Sequence, residues 1–434
     1  MDQKTAILLV IAAIAIVGVG AGIYVLTDDG PNDDQDTTPD VDPEPVKPTE
    51  REFAIDALGR QVPIPDNLDN GIVTVGLAGP LRYLTLFDVY DKIIEIDKSD
   101  ASDKNNGRGF SYAYDYTKKP THPSPNLSNE LVEHLGQLKP SLVIMQQSIW
   151  ENNTGLGEIL AKATPVLVTP AQNMLDFVNY SDFTVCDTYK KSITMVGQVL
   201  KMEDRAAEHL QDVQNILDDI RKYVKPNADP GITYVAGLTI HGSNVWNTTF
   251  PDYIPLRITS GVNAYSGDTD KEGRAPLNVE DAMNCIMHFD QATGKYTKVC
   301  DRIVIDPSSS DKIKEESTQK MMEGIYKINN DGDKTNDIGL YVTYPIVWCY
   351  INYDCVLAGS YYLCELMYGT LSHAEVEKKV QNVFDTFYGV HGKNIPHDMG
   401  EFFVGKSADA GVELPLISEI EIVYKDGKYA TAAV

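Results

Sequence analysis

Between residues 183 and 224 the chain holds a helical period with one break, near Met202, Glu203 and Asp204. That stretch constrains the fold more than any motif does. Val185, Tyr189, Ile193, Val196 and Leu200 form one apolar stripe, and Ala206, Leu210, Val213, Leu217 and Ile220 form another. This is the spacing of amphipathic helices. On either side the pattern changes to short apolar strands alternating with helices. The first series has strands at 72–77, 92–97, 141–146 and 165–169, with helices at 129–138 and 157–163. After the breaker Lys225-Pro226-Asn227-Ala228-Asp229-Pro230-Gly231, strands are expected at 232–240, 302–305 and 340–344. Helices are expected at 279–287, 311–327, 354–368 and 373–388, and a hairpin at 420–430 turning on Lys425-Asp426-Gly427. Strand–helix alternation argues for parallel sheets covered by helices.

The N-terminus carries a different signal. From Thr5 to Leu26 no residue is charged, and about 20 apolar residues suffice to cross a bilayer. The run outlasts a cleaved secretory signal and lacks its small-residue end. Lys4 is the only base before it, and acidic residues crowd its far side, which favours an N-terminus inside. Residues 27–50 combine nine acids with prolines at 31, 39, 43, 45 and 48, a composition that stays extended. The expected fold class is therefore α/β, with two Rossmann-like lobes joined by a long rigid helical spine and an N-terminal transmembrane helix. The expected division is anchor 1–26, acidic tether 27–50, N-terminal lobe 51–182, spine 183–224 and C-terminal lobe 225–434. The expected location is the cell membrane, through a single-pass anchor, with the body extracytoplasmic.

A formal net charge of −26 argues against nucleic acid, whose phosphates repel such a surface. Six cysteines include no C-x-x-C, so neither a zinc site nor a thioredoxin motif is indicated. Cys285 and Cys300 bracket a polar, turn-like segment and are the pair best placed for a disulfide. Sequons occur at Asn126, Asn152, Asn179 and Asn247, as an exported protein allows. Residues 400–407 spell G-x-x-x-x-G-K-S, but no buried strand precedes them, so a phosphate loop is rejected. Residues 329–337 are similar to a calcium loop but have Lys327 and Ile338 where acidic ligands belong, which favours a surface turn. No nucleophile–base pair or metal motif supports catalysis, and no cofactor is expected.

Three segments resemble the substrate-binding proteins of iron-siderophore, haem and cobalamin ABC importers. Asp56, Gly59, Arg60, Val62, Ile64 and Pro65 resemble that family's opening. Glu133 followed by Leu138-Lys139-Pro140-Ser141-Leu142-Val143-Ile144 resembles its helix-to-strand segment, with Ser141 in place of the usual Asp. Asp354, Ala358, Tyr361 and Tyr362 resemble the start of a C-terminal helix. The resemblance implies two lobes on a helical spine, a metal chelate held in the interlobe cleft, and docking onto an ABC importer permease. In that family one glutamate per lobe meets transporter arginines. By motif position these are Glu133 and Glu280, the latter within a segment that departs from the family pattern. The protein is expected to be a monomer that binds no nucleic acid.

Candidate ligand residues follow expected strand ends, where cleft loops belong. In the first lobe these are Arg82, then Arg108, Tyr112 and Tyr114, then Gln147 and Trp150. In the second they are His241 and Trp246 after a strand end, with Arg257 and Arg274 as further bases of that lobe. Arginine and aromatic rings together suit a planar or hydroxamate-type chelate carrying negative charge. For each residue the competing reading is ordinary: a solvated charge, or a ring packed on its neighbours. Competing functions are capture of a free metal ion, a cell-surface sensor or adhesion module without a transporter, and an extracellular metalloenzyme.

Overall fold

The computed structural model describes residues 52–434 except 102–106, 125, 171–176, 239–244, 271–272, 349 and 410–412. The first sheet contains β1 (Ile72–Val75), β2 (Ile93–Glu95), β3 (Leu142–Gln146) and β4 (Val166–Thr169). All are parallel, in the order β2-β1-β3-β4. The second contains β5 (Ile232–Ala236), β6 (Val262–Asn263), β7 (Arg302–Ile305), β8 (Gly339–Val342), β9 (Ser418–Lys425) and β10 (Lys428–Ala433). Its order is β6-β5-β7-β8-β9-β10. Its first four strands are parallel and repeat the order of the first sheet, and the β9–β10 hairpin adds antiparallel strands at one edge.

The strands read as apolar runs because both faces are covered. Period 2 sends alternate residues to different cores. In the first sheet Ile72, Leu142 and Ile144 join one cluster, while Val73, Val75, Val143 and Met145 join another. In the second, Val235 and Val304 join that same first cluster, while Tyr234, Ala236, Ile303 and Ile305 face away from it. One apolar core therefore reaches both sheets.

Its middle is formed by α3 (Asp187–Leu200) and α4 (Glu203–Tyr223), which flank the break expected from the sequence. Lys201 turns the chain in the left-handed region at φ 56°. The two helices approach closely at Gly197, where a Cβ would lie 2.7 Å from the Cβ of Ala206. At one end of α4, Arg205 Nε donates to the Leu86 carbonyl at 3.4 Å. At the other, Arg221 Nη1 donates to the Ile258 carbonyl at 2.6 Å.

The other helices that matter here are α1 (Gly79–Leu86), α2 (Asn129–Leu138), α5 (Val279–Ile286), α6 (Glu316–Asn329), α7 (Tyr353–Tyr368), α8 (His373–Tyr388) and α9 (Ile395–Asp409). Sequence reasoning did not find α9. The G-x-x-x-x-G-K-S spelling lies inside it, so those residues form no phosphate loop.

Two expectations are corrected. Among the described residues no helix is long and apolar enough to cross a membrane. The single-pass membrane location is therefore set aside, and the run 5–26 that suggested it lies outside the described residues, as does the tether. Cys285 and Cys300 are both free thiols. Cys300 is buried in the second sheet's outer core, where desolvation pushes its thiol up to about 12.

Candidate functional site

In parallel sheets of this order, ligand-binding groups collect beyond the carboxyl ends of the strands, where the strand order reverses. At that point Gly76 follows β1, at φ +110°, where a Cβ would sit 2.7 Å from the Cβ of Gln146. Only glycine fits there, and it turns the chain into α1, all of whose residues are buried. The Ala78 amide, just before α1, donates to both carboxylate oxygens of Asp100 at 3.0 Å. Asp100 also accepts from Arg108 Nη1 at 2.6 Å. Burial raises the Asp100 carboxyl to about 6 even though Arg108 and the Ala78 amide pull it down.

Arg82 lies one turn into α1 and is 5% exposed, and Arg108 is 2% exposed. Their guanidinium carbons stand 5.5 and 5.2 Å from the Phe110 ring. Arg82 Nη2 donates to Asn352 Oδ1 at 3.2 Å. Asn352 Nδ2 in turn donates to the carbonyls of Gly107 and Pro345, both at 2.7 Å. Gln146, the last residue of β3, donates to the Tyr350 hydroxyl. Residues at the first sheet's carboxyl ends are thus hydrogen-bonded to the segment that follows β8 of the second.

Two further carboxyls complete this seam. Asp354 accepts from the Tyr388 hydroxyl at 2.8 Å, and burial raises its affinity for a proton. Asp306, directly after β7, accepts from the amides of Ser308 at 2.9 Å and Ile346 at 3.2 Å. Full burial nevertheless raises its carboxyl to about 7. Among the described residues, a cavity lined by Arg82, Tyr83, Tyr189, Tyr353, Asp354 and Tyr388 holds about 10 Å³, too small for a ligand. A groove of about 840 Å³ lies at the opposite end of the first sheet, beside Glu133 and Pro140. No buried charge converges there.

Of the residues singled out in the sequence, the structure brings Arg82 and Arg108 together. Tyr112 is half-buried beside them on the short helix Phe110–Ala113 and packs on the shared core. Tyr114 is stacked on Tyr90 at 4.8 Å, lies 4.4 Å from the His391 ring and donates to Asp88, so it belongs to a ring cluster near the surface. Gln147 opens the helix Gln147–Asn152 and donates to Glu151 at 2.7 Å. Trp150 is buried on the first sheet's outer side with the Arg60 guanidinium 3.6 Å above its ring. Trp246 is wholly buried in the second sheet's outer core. Both indoles are core residues rather than open platforms, because helices cover the sheet faces they occupy. Arg257 pairs with Asp252 at 3.2 Å over the Tyr180 ring, and Arg274 pairs with Asp270 at 2.7 Å. His241 lies outside the described residues. Glu133 on α2 and Glu280 on α5 are both exposed.

Sequence reasoning missed Asp100, Gln146, Asp306, Tyr350, Asn352 and Asp354 as members of the seam. A signal existed for Asp306, which follows a strand and precedes Pro307 as a helix cap does.

Residues 92–288 match the family described as periplasmic binding protein. Over that span the chain is similar to this family. It is a family of transport proteins that bind and do not catalyse. Solved structures share the fold. A periplasmic solute-binding protein from Veillonella parvula is 15% identical, with 79% of this chain and 96% of that one covered at a TM-score of 0.52. The molybdate-binding protein MolA of Haemophilus influenzae is 14% identical, with 78% and 98% covered at 0.52. The TroA-like binding protein FepB from Veillonella parvula is 14% identical, with 77% and 95% covered at 0.50. No curated protein matches the sequence significantly.

Proposed function

We propose that this protein is a solute-binding protein that captures an anionic metal chelate, of siderophore, haem or corrinoid type, and delivers it to an ABC importer. The observation that carries the reading is the pair Arg82 and Arg108, both buried at the carboxyl ends of one sheet and facing the segment that follows a strand of the other. Two planar guanidiniums beside an aromatic ring suit carboxylate or hydroxamate oxygens on a chelate's rim. In this reading residues 51–182 and 225–434 act as two lobes and residues 183–224 as the spine between them. The repeated strand order and the bonds from both ends of α4 support that division. Glu133 and Glu280 serve as the permease contacts, since both carboxylates are exposed on helices of different lobes.

Capture of a free metal ion draws no support from the described residues, among which no three His, Cys, Asp or Glu side chains are grouped to hold one. The test is a thermal-shift screen of haemin, a ferric trihydroxamate, cobalamin, molybdate and free iron and nickel salts. An anionic chelate is expected to stabilise the protein. Arg82→Lys, which keeps the charge but loses the planar fork, is expected to weaken that binding about tenfold, the loss of roughly one charge-assisted hydrogen bond. A free metal ion that stabilises when no chelate does, or a chelate response untouched by Arg82→Lys, overturns the proposal.

A further inference from the structure

We propose that α9 (Ile395–Asp409) is a built-in plug that occupies the ligand's place and must leave for a ligand to enter. The inference rests on the solute-binding reading above. α9 packs on the turn Pro307–Lys312, which follows β7 of the second sheet, and on the short helix Phe110–Ala113 beside Arg108. It therefore lies across the carboxyl ends of both sheets, over the seam.

The inward face of α9 carries Ile395, Met399 and Phe403, all buried and one turn apart. The ring of Trp348, after β8, lies 5.6 Å from Phe403 and 6.0 Å from Phe402, with the Lys406 ammonium 4.5 Å from its centroid. Trp348 and Phe403 abut the loop that carries Arg108. A Cβ on Gly107 would lie 2.6 Å from Trp348 and 3.2 Å from Phe403. Trp348 and Phe403 thus crowd Gly107, the residue before Arg108, with the Lys406 ammonium over the Trp348 ring, on the side from which a chelate would approach.

A second observation makes the plug releasable. Gly400 and Gly405 lie within α9, and a Cβ at either would meet nothing within 4 Å. Packing does not require glycine there, yet each costs the helix about 1 kcal/mol relative to alanine. In α7, by contrast, a Cβ on Gly359 would lie 3.0 Å from Thr343 Oγ1, so that glycine answers to close packing. α9 is a helix weakened by its own sequence and held by its ring contacts. A ligand that binds only the open form shifts the population toward it.

The experiment uses Gly400→Ala, Gly405→Ala and their double variant, with haemin and a ferric trihydroxamate as probes and hydrogen exchange as a readout independent of both. Each alanine favours the closed form and is expected to weaken apparent probe affinity about fivefold, the equivalent of about 1 kcal/mol. Phe403→Ala is expected to tighten it. Without any probe, α9 amides are expected to exchange faster than those of α8 and to slow about 25-fold in the double variant. Affinity that is unchanged or improved by the alanines overturns the plug, improvement meaning that α9 clamps a bound ligand instead. If Phe403→Ala does not fold, the glycine variants still decide. If neither probe binds any variant, the chelate reading falls, and the exchange rates alone decide whether α9 opens. Amides of α9 exchanging no faster than those of α8 overturn the proposal in either case.

Discussion

At the seam, burial controls charge one residue at a time. Asp306 keeps two amide donors, yet desolvation outweighs them and raises its carboxyl from 3.8 to about 7. A carboxyl raised on folding holds its proton more tightly in the folded state. Its stabilising contribution is full below about pH 4 and is lost as pH rises through about 7. Asp100 acts in the same direction, with a folded value of about 6. His209 opposes them: burial lowers it from 6.5 to about 3, so its contribution is present above 6.5 and lost as pH falls toward 3. Asp306→Asn is expected to flatten the fall in stability between pH 4 and 7 relative to the unchanged protein. It should also cost about 1–2 kcal/mol at pH 4, where one amide loses its acceptor. Urea unfolding across that range measures both, and an unchanged slope would place the proton elsewhere.

Helix pairs depend on what their closest contact permits. The pair α3 and α4 meets at Gly197, whose added Cβ would crowd Ala206 at 2.7 Å and the Met202 carbonyl at 3.3 Å. Gly197→Val is expected to destabilise the protein by about 1–3 kcal/mol through overpacking, read as a lower denaturation midpoint. An unchanged midpoint would mean that the helices separate freely. Elements with clean local signals were legible in the sequence. The expected helices 129–138 and 373–388 are α2 and α8, which begin at Ser128 and Ser372 caps. The segment of α9 was not, because Pro396, Gly400 and Gly405 interrupt its apolar stripe and the helix forms through tertiary contacts.

Across the molecule, both sheets and α4 share one apolar cluster, in which Ile144, Val235 and Leu217 all take part. Separating the two sheets would expose most of that cluster, whereas releasing α9 uncovers only its margin, so ligand binding is expected to move α9 and not the sheets and to change overall dimensions little. X-ray scattering with and without haemin or a ferric trihydroxamate should give nearly superposable curves, and a large compaction would mean a hinged molecule. Docking belongs to the same scale. Glu133→Arg and Glu280→Arg are expected to leave chelate affinity almost unchanged while crippling uptake in reconstituted vesicles, with the double variant worse than either. In the proposed docking each reversal sets like charge against a transporter arginine. Loss of chelate binding would move these residues into the site, and normal uptake would return them to the solvated surface.

The sequence by itself determined most of the sheet strands (though not the edge strand β6), the paired helices between the two strand series, and the α/β class. Each follows from periodicity, which is a local property of the chain. It also marked Arg82 and Arg108 as strand-end bases. Only the tertiary structure decided their neighbours. Arg82 meets Asn352 across 270 positions of sequence, and Gln146 meets Tyr350 across 204. Trp150 and Trp246 also followed strands, yet they pack into cores, while Trp348, which drew no attention, stands at the seam under α9. Burial and pairing are set by which strand ends the two sheets bring face to face, and no spacing along the chain encodes that.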